Sequence, residues 1–92
     1  MSEEYIPQIY MASLAGGKQV DCYFTNGSVR RYDVSQAIRL GGVFESLKSQ
    51  PVFEKSLMVM DGVLSFDIAG TRDPYNTVDV CADVVYSEGV PI

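Results

Sequence analysis

Arg72-Asp73-Pro74-Tyr75-Asn76 sets a cation, an acid, an aromatic ring and an amide side by side. Loops carrying such groups are where binding residues concentrate. The same residues also suit a plain turn opened at Asp73-Pro74. Arg30, Arg31, Tyr23 and Tyr32 make a second group. Tyr and Arg dominate the energetics of many protein interfaces, and they equally stabilise a sheet by stacking across strands. Asp67, Asp73, Asp79 and Asp83 recur in the last third of the chain. Gathered carboxylates can hold a hard cation. Calcium-loop spacing is absent here and strand alternation scatters the four, so solvated faces and helix caps account for them. The candidate partner-binding residues are therefore Tyr23, Arg30, Tyr32, Arg72, Asp73 and Tyr75. No residue is assigned a catalytic, cofactor-binding or metal-binding role, and no cofactor is expected.

What the chain lacks narrows the chemistry further. It has no histidine, hence no imidazole base and no Ser-His-Asp or Cys-His arrangement. The histidine-containing zinc-hydrolase sites are excluded with it. Net charge is −5, which repels a phosphate backbone, so nucleic acid is not an expected partner. Cys22 and Cys81 are too few and too far apart for a disulfide framework or a zinc site. They read as reduced thiols of a cytoplasmic protein. The first residues, MSEEYIPQ, are acidic and lack the apolar stretch of a signal peptide. No apolar run reaches the length of a membrane span.

These groups must be held by something. Ninety-two residues, 47% hydrophobic and 21% charged, are enough for one domain with one core and argue against disorder. Such a chain buries roughly two-thirds of its unfolded surface. Residues 1–6 read as a frayed start. The central signal is Val20–Val34, VDCYFTNGSVRRYDV, two strands joined by Asn26-Gly27. A two-residue turn of this kind takes positive φ at both positions. It pairs Phe24 with Val29, Tyr23 with Arg30, Cys22 with Arg31 and Asp21 with Tyr32. Alternation then places Val20, Cys22, Phe24 and Val29 on a core face, and Tyr23, Arg30, Asp21 and Tyr32 on the other. Pro7–Leu14 is expected to precede this hairpin as an edge strand, Ile9 and Met11 on one face, Tyr10, Ala12 and Leu14 on the other. An open edge there would be a template for self-pairing or for a partner strand.

Short helices follow. Ser35, or alternatively Asp33, caps Gln36–Leu40, and Gly41 ends it. Ala37, Ile38 and Leu40 are its apolar positions and must dock on the sheet. Val43–Lys48 reads as a short helix or 3₁₀ turn in which Phe44 and Leu47 share a face. Pro51 opens a further turn that points Phe53 inward. Asp61-Gly62 joins Leu57–Met60 to Val63–Ile68. Leu57, Val59, Leu64, Phe66 and Ile68 should form the main core surface. Met58, Met60, Val63 and Ser65 lie opposite, either covered by helices or free as a contact surface. Val78–Cys81 is a short closing strand, and Asp83–Ser87 a helical turn ending near Gly89. The expected fold is α+β: a three-stranded antiparallel meander, short helices, a second β-hairpin and a short C-terminal helical turn.

The order Phe24-x-Asn26-Gly27-x-Val29-Arg30-x-x-Asp33-Val34, Phe44-x-x-Leu47, Phe53, Gly62–Phe66, Asp79-Val80 and Val85-Tyr86 resembles the bacterial family catalogued as domain of unknown function 2442. The resemblance covers roughly residues 9–88. It implies the same small α+β fold and no established activity. Family members often sit beside another small protein in a toxin–antitoxin-like arrangement, which implies a protein partner. This chain departs from the pattern in having Phe66 where Trp is common and Ala82 where Pro is common. The expectation from both lines is a non-enzymatic protein–protein interaction module, antitoxin-like or self-associating as a homodimer. The alternative is a small-molecule-binding domain with a pocket between the second hairpin and the short helices.

Overall fold

The two turn dipeptides fold differently, and that difference sets the faces of the molecule. In the computed structural model, which describes residues 7–70 and 77–92, Asp61 and Gly62 both take positive φ, 54° and 82°. That is the two-residue turn whose twist matches a hairpin. Strands β4 (Leu57–Met60) and β5 (Val63–Phe66) accordingly pair Leu57 with Phe66 and Val59 with Leu64. At the first hairpin only Gly27 is left-handed, at φ 90°, while Asn26 is not. The Asn26 side chain instead accepts the Ser28 N–H at 2.9 Å, and Phe24 bonds to Ser28 around a three-residue loop. Asn is able to close a turn this way without leaving negative φ.

The longer loop moves the register by one residue. Strands β2 (Gln19–Phe24) and β3 (Val29–Asp33) pair Val20 with Tyr32, Asp21 with Arg31, Cys22 with Arg30 and Tyr23 with Val29. A slip of one sends every side chain of β3 to the opposite face. Arg30 and Tyr32 therefore lie on the core face, and Val29, Arg31 and Asp33 on the outer one, the reverse of the sequence expectation. Strand β1 (Ile9–Leu14) carries a second irregularity. Ile9 pairs with Phe24 but Met11 with Tyr23, so Tyr10 is the extra residue of a bulge. Ile9 thus shares the inner face with Ala12 and Leu14, and Met11 moves outward.

Strands β6 (Val78–Val80) and β7 (Val90–Pro91) complete two sheets, in the orders β1-β2-β3-β7 and β4-β5-β6. The meander thus gains a fourth strand, with Arg31 opposite Val90 and Arg30 opposite Pro91. Helix α1 (Ser35–Ile38) is a single turn, with the Asp33 carboxylate accepting the Ser35 N–H at 3.0 Å. A 3₁₀ segment, Gly42–Lys48, follows. Helix α2 (Gln50–Ser56) has Pro51 in its first turn, where the missing N–H costs nothing. Helix α3 (Ala82–Glu88) leads back to β3. Among the described residues no helix is long and apolar enough to cross a membrane.

One cluster of buried side chains joins both sheets and the helices. Val20, Cys22, Phe24 and Tyr32 face it from the first sheet, Leu64, Phe66, Val78 and Val80 from the second. Leu47, Phe53 and Val85 close it from the helical side, and the Phe53 and Phe66 rings stand 5.4 Å apart. Lys18 ties the first turn to α2, its ammonium donating to Gln50 Oε1 at 2.6 Å and lying 5.2 Å above the Phe53 ring. On the other face of the second sheet Met58, Met60 and Val63 are half-buried and Ser65 is fully buried.

Candidate functional site

The register of β3 distributes the candidate residues over separate places. Arg30 faces α3. Its guanidinium stacks 4.0 Å above the Tyr86 ring and donates to the Tyr86 carbonyl oxygen at 2.7 Å. Asn26 Nδ2 donates to the Tyr86 hydroxyl at 3.2 Å, and Phe24 meets the same ring edge-on at 5.1 Å. Hydrogen bonds from Ser28 and Asn26, with the Arg30 charge adding to them, hold the Tyr86 phenol below its ordinary pKa. The arrangement anchors α3 on the first hairpin. A guanidinium over a ring face is attracted by the ring's quadrupole, and here it adds to the hydrogen bond in holding the helix.

Tyr32 is 3% exposed and belongs to the core. Burial pushes its phenol pKa up, and the carboxylates of Glu88 and Asp33 push the same way. Tyr23 lies on the outer face of the first sheet, half-buried, with the Tyr10 ring 6.5 Å away. Beside it Arg31 makes a two-pronged pair with Asp21, at 2.8 and 3.1 Å. Tyr23 is thus parted from Arg30 and Tyr32 by the thickness of the sheet. Arg72, Asp73 and Tyr75 lie outside the described residues.

The two thiols also differ. Cys22 is buried between the sheets, and loss of solvent raises its pKa to about 12, with Asp21 adding to the effect. A thiol that stays protonated is a poor nucleophile. Cys81 is exposed, and neither cysteine is in a disulfide. Asp67 turns the chain after β5, its carboxylate accepting the Gly70 N–H at 3.1 Å. Among the described residues no three acidic or thiol side chains come close enough to share a metal ion.

The chain matches no family model, no curated protein and no solved structure. A hollow of about 460 Å³ lies where Arg31, Asp33 and Glu88 meet Val90 and Ile92, and two further concavities adjoin the helices. The first, about 340 Å³, opens between α2 and the start of β4, with Lys55, Ser56, Met58 and Asp67 on its walls. It occupies the place expected of a pocket between the second hairpin and the short helices. The second, about 380 Å³, is a groove bounded by α1, the 3₁₀ segment, β6 and α3. Ala37, Phe44, Val80 and Val84 give it an apolar floor, and Asp79 and Glu88 stand at its rim.

Leu40 forms one lip of that groove and is 83% exposed. The sequence expectation docks Leu40 on the sheet with Ala37 and Ile38. Those two are buried, but α1 is only one turn long and Gly41 and Gly42 take the chain away at φ 75° and 61°. Leu40 is left outside. Its signal in the sequence is a leucine set directly before two glycines, past the end of a helix too short to bury it.

Proposed function

We propose that this chain is a non-enzymatic module that works by binding another polypeptide in the cytoplasm, either the product of a neighbouring gene or a further copy of itself. The observation that carries this reading is where the apolar surface lies. Tyr10 and Met11, 61% and 47% exposed, lie together beside Tyr23 on the outer side of an uncharged first strand, and Leu40, 83% exposed, stands at the lip of the apolar groove. Apolar surface collected into patches marks contact sites, whereas scattered single residues do not. The arginines of the first hairpin are meanwhile spent on the fold, Arg30 on Tyr86 and Arg31 on Asp21. The resemblance to the domain of unknown function 2442 family supports the same reading through its paired gene arrangement. Co-expression with the products of the flanking genes, followed by size exclusion, tests it. A co-eluting complex, or a dimer of the chain alone, is expected; a lone monomer in every combination would refute it.

The cleft beside α2 favours a second reading, a small-ligand site. A cavity with both a lysine and a carboxylate suits a polar molecule carrying charges of both signs. A thermal-shift screen of amino acids and related zwitterions checks this, because a ligand bound only by the folded state raises the melting temperature. Stabilisation that disappears in Lys55→Ala would support it.

A further inference from the structure

The groove between α1 and α3 combines an apolar floor with an acidic rim. Phe44 and Val84 pack one side on the core and leave the other half-exposed in the floor, with Leu40 at the lip beside them. Its rim is acidic, with no lysine or arginine among the lining residues. Glu88 is in no ion pair among the described residues, and Asp79 accepts one long hydrogen bond, at 3.5 Å from Thr77. Arg39 stands next to Leu40 and three residues from Gln36, which lines the groove, so it borders the same patch. Arg39 is exposed and likewise in no ion pair among the described residues.

The groove and its border therefore hold a protruding leucine, an apolar hollow, and an arginine and a glutamate that are in no ion pair among the described residues. Those are the two halves of a self-complementary contact, which is what a two-fold axis requires: the same surface on both copies, each supplying what the other lacks. We propose that the groove is a homodimer interface, in which Leu40 of each copy fills the hollow of its partner and Arg39 meets the Glu88 and Asp79 rim across the axis. This rests on the reading of the chain as an interaction module and names the surface it uses. A second copy suits the patch better than an acidic or uncharged partner, because Arg39 supplies the positive charge the rim calls for. Strand β1, the other exposed apolar surface, carries no charge to offer it.

Sedimentation velocity of the full chain over a range of concentrations tests the proposal. A dimer is expected. Leu40→Ser should weaken it by about a hundredfold, since both copies lose a buried side chain. The residue's exposure means that this variant keeps the fold, which an unchanged melting curve of the dissociated chain confirms. Arg39→Glu and Glu88→Arg should each weaken it by about tenfold, and the double variant should recover most of the loss, because the reversed charges pair again. Near 1 M salt, where charges are screened beyond about 3 Å, the single and double charge variants should converge. A chain that stays monomeric up to about millimolar concentration overturns the proposal. So does a dimer indifferent to Leu40→Ser, or a double variant weaker than both singles. If the dimer survives Leu40→Ser but breaks in Met11→Lys, the interface is the β1 edge and the broader interaction reading stands. If the chain is monomeric yet co-elutes with a neighbouring gene product, the self-pairing fails and the module reading stands.

Discussion

Replacing Gly89 by alanine sets two effects of opposite sign against each other. Gly89 sits at φ −72°, a conformation alanine adopts freely. Judged by the backbone alone, the substitution stabilises by about 0.4–1 kcal/mol, because it narrows the unfolded ensemble. The surroundings argue otherwise. A Cβ on Gly89 would stand 2.6 Å from the Val85 carbonyl oxygen and 2.9 Å from Arg30 Cβ, with the Arg31 carbonyl oxygen at 3.4 Å. Two of these three neighbours are main chain and cannot rotate away. Overpacking a tight site costs about 1–3 kcal/mol, and contact with rigid atoms belongs in the upper half of that range. The net loss is about 1–2.6 kcal/mol, or roughly 4–21 °C in melting temperature for a domain of this size. Urea unfolding followed by circular dichroism measures it. The relief of the overlap must move α3 off β3, so the Arg30 stack on Tyr86 should loosen in the same variant. Unchanged or increased stability would refute the reasoning, since it would mean that α3 can yield at no cost.

Tyr86→Phe keeps the ring beneath Arg30 but removes the hydroxyl that Asn26 bonds. It should lower the urea midpoint only slightly, because the lost bond is exposed to water, against a clearly larger loss for Tyr86→Ala, which also abandons the stack and the contact with Phe24. Cys81 should react with Ellman's reagent in the native protein and Cys22 only after unfolding, as their exposure dictates. Cys22 also gives a pH dependence. Burial raises its folded pKa from the ordinary thiol value of 9.0 to about 12, so between those values the unfolded chain has released a proton that the folded chain retains. The contribution is complete below about pH 9 and is lost as pH rises toward 12, by up to about 1.4 kcal/mol per unit. Cys22→Ala should flatten that slope in denaturant titrations. Asp21→Asn breaks the pair with the exposed Arg31 and should lower stability only slightly in urea titration, with the loss vanishing in molar salt.

The α+β architecture was legible because turn and cap residues act locally. Asp61-Gly62 dictates its own hairpin, Pro51 opens α2, and the alternation of Leu64 and Phe66 identifies the inner face of the second sheet, whereas α1 runs Ser35–Ile38 and stops at Arg39, short of the expected end at Gly41. Register was less legible. Asn26-Gly27 carries the same signal as Asp61-Gly62, yet the Asn side chain can complete a three-residue loop, and spacing alone does not choose between the two. That single residue decides whether Arg30 and Tyr32 face solvent or core, so the candidate group Tyr23, Arg30 and Tyr32 divides between two faces of the sheet. The Tyr10 bulge has no signature in composition. Strand β7 escaped because Pro91 argues against a strand, although proline is tolerated on the outermost strand of a sheet. The groove is a tertiary feature. Leu40 could be recognised as a short helix's last apolar residue, but its neighbours Val84 and Glu88 reach it only once α3 has folded back.

That return of α3 also bears on the order in which the chain assembles. The hairpins close over neighbouring residues, whereas the bond between Arg30 and Tyr86 spans 56 positions. Loop closure must come before such a contact repays it, so the α3 docking belongs to the late stage of folding. Elements that join last are commonly the first to part, and amide protons in α3 should exchange ahead of those in β2 and β5. A wall of the groove would then open without the two sheets dissolving, and the surface offered for assembly would be the part of the molecule that a partner's arrival steadies most.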